Sequence, residues 1–180
     1  PPPTPYTVTV TGGYAQENGG TAEINFVSGT TVEVYATVPA NYMLTGWTVD
    51  SGGVTLAEIE SGVLTSRSFV MPDANVEITA NLTAITNQVT VNGGTGSGTY
   101  NAGQTVTIAP DNITAFLAWA VDSGNITTAS LTDNGNNTYS FTMPTSGSVV
   151  ITASFASYTV TVNGGTGSGT FVYGSTVTIS

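Results

Sequence analysis

The chain has 180 residues, of which 39% are apolar and only 7% charged, with eleven acids against the single cation Arg67 and a net charge of −10. With no Lys there is no basic cluster for nucleic acid or an anionic membrane surface. With no His and no Cys there is no usual nucleophile–base pair, no disulfide and no thiolate-held metal, and no apolar run approaches the ~18 residues of a membrane span.

From the N-terminus, Pro1-Pro2-Pro3-Thr4-Pro5 predicts a stiff, extended linker over residues 1–5. Tyr6, Val8 and Val10 then alternate with Thr7, Thr9 and Thr11, the period-2 pattern of a half-buried strand. A Gly-Gly turn follows, with about nine extra residues around Tyr14 to Ala22. Val32, Val34, Ala36 and Val38 alternate with Thr31, Glu33, Tyr35 and Thr37, so Glu33 and Tyr35 are expected on a wet face. Trp47 falls in a strand beside Val49, and Val76, Ile78, Ala80 and Leu82 line the inner face of a closing strand.

The same order then repeats. Val89 to Thr99 recurs identically as Val160 to Thr170, and Trp119, Val121-Asp-Ser-Gly124 and Phe141-Thr-Met-Pro144 lie 72 residues after Trp47, Val49-Asp-Ser-Gly52 and Phe69-Val-Met-Pro72. The repeat divides the chain into modules at 6–84 and 85–157, with the first hairpin of a third at 158–180. The absence of an initiator Met and the break inside Thr176–Ser180 suggest a piece of a longer exported polypeptide. The expected fold is all-β and mainly antiparallel: small β-sandwich modules in a linear array. Trp47, Trp119, Met71 and Met143 are the expected core anchors.

Candidate chemistry is sparse. Asn92-Gly-Gly-Thr-Gly-Ser-Gly-Thr99 has neither the spacing of a dinucleotide loop nor the Lys of a phosphate loop, and predicts a hairpin. Glu58 and Glu60 would share a face if their segment were a strand, a pairing suited to glycoside chemistry. Module two has Ser130 and Thr132 at those positions at the 72-residue offset. Asp133-Asn-Gly-Asn-Asn137 gathers oxygen ligands around a Gly, as calcium loops do, which makes Asp133 and Asn137 calcium candidates. Asx-turn chemistry accounts for the same residues. Asp50 and Asp122, each before Ser-Gly, are expected to be turn residues. Tyr14, Tyr100 and Phe171 at the hairpins are candidate partner contacts.

The succession Tyr-Thr-Val-Thr-Val, Gly-Gly-x-Gly-Ser-Gly, Thr-Val-Thr-Ile, Gly-Trp or Ala-Trp, Val-Asp-Ser-Gly, Phe-x-Met-Pro and Val-x-Ile-Thr-Ala resembles the divergent internalin B-repeat family of bacterial surface proteins. The resemblance spans essentially the whole chain after the Pro-rich start. It implies compact β-grasp-like modules strung along secreted or wall-attached proteins, and it carries over no catalytic residues. Leu117 and Ala118 depart from the family's Gly before Trp.

The expected function is a structural repeat array outside a bacterial cell: a stalk, fibre or filament subunit, with open β edges as its expected means of self-association. The alternative is an adhesin or glycan-binding module on a glycan or host surface. No enzyme activity, no cofactor other than calcium, no nucleic acid and no membrane insertion are expected.

Overall fold

The computed structural model describes residues 3–180, so Pro1 and Pro2 of the expected linker lie outside the described residues, while Pro5 already opens the first strand. The chain forms two compact units, residues 1–84 and 85–180.

In unit one, one sheet holds β1 (Pro5–Thr11), β3 (Asn25–Val27), β5 (Tyr42–Ser51) and β7 (Val76–Ala84) in the order β3-β1-β7-β5. The second holds β2 (Gly13–Glu17), β4 (Thr31–Ala36) and β6 (Ser66–Val70) in the order β2-β4-β6. All pairings are antiparallel except the central one, where the first and last strands run parallel with Val8 opposite Val76. That parallel centre with antiparallel flanks is the β-grasp arrangement, and a second sheet covers it. Val8, Phe26, Val76 and Ile78 from one sheet meet Val32, Val34 and Phe69 from the other, and Met71 just past β6, in a single core.

Unit two repeats the plan. Strands β8 (Thr86–Asn92), β10 (Gly98–Asn101), β12 (Phe116–Ser123) and β15 (Val149–Phe155) pair in the order β10-β8-β15-β12, again with a parallel centre, Val89 opposite Val149. Strands β9 (Gly94–Thr95), β11 (Thr105–Pro110), β13 (Thr132–Asp133) and β14 (Tyr139–Thr142) form the covering sheet, and one 3-10 turn spans Thr128–Ser130. The closing hairpin, β16 (Ser157–Val160) with β17 (Gly169–Val172), belongs to this unit and repeats the β8–β10 register.

The Phe-x-Met-Pro motif has a clear physical role. Met71 and Met143 are each 1% exposed. Their backbones bond to the turn before β4 or β11, through Gly29 N–H to Met71 O and Gly103 N–H to Met143 O, both 2.8 Å. The following proline has no N–H to extend the ladder, so the strand ends there. The Gly-Gly pair serves close packing as much as turning. A Cβ on Gly94 would stand 2.5 Å from Ala109 O and 2.6 Å from the Trp119 ring.

Two local expectations are corrected. Glu33 is only 8% exposed rather than facing water, because the extra residues of module one build β2 and place β4 between two strands. The Tyr35 hydroxyl donates to Glu33 Oε2 at 2.9 Å, with Gln16 Nε2 at 3.4 Å. Asp50 and Asp122 lie within strands, each being the unpaired residue of a bulge near the end of β5 or β12. Leu117 and Ala118 sit at the other bulge of β12, where Ala118 pairs with Ser154.

Candidate functional site

The repeated polar motifs are engaged within their own unit. Asp50 Oδ2 accepts from the Thr79 hydroxyl at 2.7 Å, and Asp122 Oδ2 from Thr152 at 2.6 Å, both across the outer face of a sheet. In the glycine-rich run, Ser97 Oγ accepts the Val91 N–H at 2.9 Å, and Ser168 Oγ the Val162 N–H at 2.8 Å. The run leaves β8, pairs briefly with β11 as β9, and returns as β10 on β8. It thus stitches the two sheets together.

Glu58 and Glu60 do not share a strand: both are exposed in the loop between β5 and β6, where Glu58 lies 3.8 Å from Arg67. In the Asp133–Asn137 loop, Asp133 Oδ1 accepts the Gly135 N–H at 2.8 Å, an Asx turn. Asn134 bonds Thr138 and Ser140, the Asn136 side-chain Oδ1 accepts from the Thr138 hydroxyl, and Asn137 takes a left-handed φ of 63°. No group of three acids, His or Cys converges among the described residues.

Of the hairpin aromatics, Tyr14 is exposed and stacks on Tyr35 with ring centroids 5.4 Å apart. Tyr100 is instead half-buried against the core and donates to Gly96 O at 2.8 Å, and Phe171 is half-buried in β17 opposite Tyr158. The Tyr35 phenol is raised above its ordinary value of 10.0, first by its hydrogen bond to Glu33 and then by burial.

The two tryptophans occupy equivalent places, Trp47 opposite Ala80 and Trp119 opposite Ala153, but their surroundings differ. Trp47 is half-buried at the margin of its core, and its Nε1–H donates to Leu64 O at 2.7 Å. Trp119 is 6% exposed, and its Nε1 has no hydrogen-bond partner among the described residues. Leaving such a donor unpaired in the interior costs about 1–3 kcal/mol. Beside it is a cavity of about 250 Å³ walled by Phe116, Trp119, Leu131, Tyr139 and Thr128, with exposed Leu117 at its edge.

The cause lies in loop length. Ala57 bridges Ser68 in unit one as Thr132 pairs with Ser140 in unit two, so the uniform 72-residue match breaks here. Ten residues, 58–67, separate the first pair and seven, 133–139, the second. The longer loop brings Leu64 O to the indole, and Arg67 is held by bonds to Val63 O and Ser66 O. The shorter loop closes on its own Asn and Thr side chains, and Tyr139 stands where Arg67 stood. Sequence reasoning had no signal for this cavity beyond the two tryptophans themselves.

Fold and motifs together define a class: tandem all-β repeat modules whose signature residues close cores and turns. A profile of the divergent InlB B-repeat domain matches residues 6–86 and again 84–157, and the chain belongs to that family, whose modules are associated with bacterial surface proteins. Comparisons with curated proteins and with solved structures returned no significant match.

Proposed function

We propose that the chain is a structural segment of a protein displayed outside a bacterial cell, a stalk, fibre or filament subunit, and that it is not an enzyme. One observation carries this reading: each unit closes its own two-sheet core, and the motifs the units share are engaged in cross-strand and turn contacts inside them. Self-association through sheet edges belongs to the same proposal. In the two sheets with parallel centres, edge strands β5 and β12 each carry two bulges, which leaves β3 and β10 as the regular edges of those sheets able to take an added strand. A chain with no Lys and a single Arg suits an environment rich in trypsin-like proteases.

Single-molecule pulling tests the spacer role. Two separate unfolding events are expected, each releasing roughly 25 nm for about 75 residues at ~3.4 Å per residue. Extension without two such events overturns it. Light scattering across a concentration series tests assembly, and a strict monomer at every concentration removes the filament version. A glycan-binding adhesin is the second reading, favoured by the cavity beside Trp119.

A further inference from the structure

We propose that the loop joining β11 to β12 is a docking surface for the first hairpin of the following repeat, and that Asn112 is the residue that holds the joint. This joint deepens the spacer reading, on which it rests, because it sets how one module fixes the position of the next.

The hairpin needs such a hold. β16 pairs with β17 alone, and a two-stranded hairpin is marginal by itself in water. In module two the identical sequence, Val89 to Thr99, has β15 alongside β8 as a third strand. No side chain of residues 158–180 is charged, so no ion pair from them ties the hairpin down.

Two points of attachment take that place. The first is Ala156, the link between β15 and β16. Its N–H donates to Ala115 O at 2.7 Å, one step beyond the Phe116–Phe155 pair, and its carbonyl accepts the Tyr173 N–H at 2.9 Å, one step beyond Ser157–Val172. One residue shared by two ladders is a pivot. The second attachment stops it turning: Asn112 Nδ2 donates to Tyr173 O, past the end of β17, at 3.1 Å. Ser175 N–H bonds Val172 O at 3.0 Å, a turn that leaves Tyr173 O open to an outside donor.

The Asn112 amide is committed to this role. Its Oδ1 accepts the Ala115 N–H at 3.1 Å, and that bond dictates which end of the amide faces the hairpin. Ala115 lies in the loop yet is only 2% exposed, so the turn that Asn112 caps is packed in place. The acceptor on the hairpin is a backbone carbonyl. The surface therefore reads the path of the chain rather than its side chains, and its partner is a strand–turn–strand unit of this shape.

The test compares the full ¹⁵N-labelled chain with Asn112→Asp. That variant keeps the oxygen that caps Ala115, loses the donor and sets a carboxylate against Tyr173 O. In the native chain the order parameters of Thr159 and Thr170 should match those of Val89 and Val149, at about 0.85. In Asn112→Asp they should fall toward about 0.6, and the Tyr173 amide should exchange about five- to tenfold faster, while Val89 and Val149 keep their order and protection. Should that variant fail to fold, Asn112→Ser offers a capping oxygen without the charge or the reach and carries the same expectation. A native hairpin already near 0.6 overturns the proposal, as does a variant whose hairpin is unchanged. Loss of protection at Val89 and Val149 together with the hairpin would make Asn112 a loop cap alone and overturns it too. None of these outcomes alters the two unfolding events expected on pulling, so the joint can fail while the spacer reading stands.

Discussion

Replacing Met143 with Ala should unfold unit two at lower urea while leaving unit one untouched. Met143 is 1% exposed and packs in one cluster with Trp119, Phe141 and Ile151; Trp47 packs on a different cluster around Met71. Truncating a buried Met to Ala costs about 2–5 kcal/mol through lost transfer energy and the cavity left behind. A unit of this size has roughly 4–11 kcal/mol of stability to lose. With about 3 kcal/mol lost and an m-value near 1–1.5 kcal/mol/M, the urea midpoint falls by about 2–3 M. Each unit holds one tryptophan, so 5-fluorotryptophan labelling gives one ¹⁹F line per unit, and both midpoints are read in one titration. The Trp119 line should move and the Trp47 line should not, with Met71→Ala giving the mirror image. Equal shifts of both lines would refute the claim that each module closes a core of its own.

Gly94→Ala should destabilise unit two by about 1–3 kcal/mol, because the new methyl meets Ala109 O and the Trp119 ring at 2.5–2.6 Å. Gly135→Ala has open space around it and meets only the penalty of a φ of 76°, about 1 kcal/mol, so its melting temperature should fall less. The Tyr35 phenol binds its proton more tightly folded than unfolded. Its contribution is therefore complete below the unfolded value near 10 and is lost as pH rises through the higher folded value. The urea midpoint of unit one should drop as pH rises above about 10, and Tyr35→Phe should flatten that drop. The Asp133 and Asn136 side-chain oxygens are already bonded within their loop, so millimolar calcium or a chelator should leave the melting of unit two unchanged. A rise of several degrees with calcium would show that the loop opens to bind it.

Much of the frame was legible because buried positions in strands repeat every second residue, and Val76, Ile78 and Ala80 do so without interruption. The repeat added the equivalence of the two tryptophans and of the Met-Pro pairs. What escaped was whatever depends on a partner distant in sequence. Alternation places Glu33 outward but cannot show that β2 will flank its strand and bring Gln16 against its carboxylate. A Val-Asp-Ser-Gly string reads as a turn until a bulge, visible only in the pairing register, keeps the Asp in the strand. Tyr100 sits beside a hairpin, yet its ring folds back onto the core and its hydroxyl caps Gly96. The indole cavity escaped for a related reason. Its existence turns on how far a loop travels between two fixed strands, and identical strand motifs are compatible with either length.

The Ala57–Ser68 and Thr132–Ser140 pairs therefore act as posts between which a passenger segment is strung. Beyond the posts, β6 and β14 return to the same register on β4 and β11 whatever the segment has done. The strand register is insulated from mutational drift in the segment. Sister repeats can thus share one chassis and still present different faces to the outside, much as an antibody framework does for its variable loops.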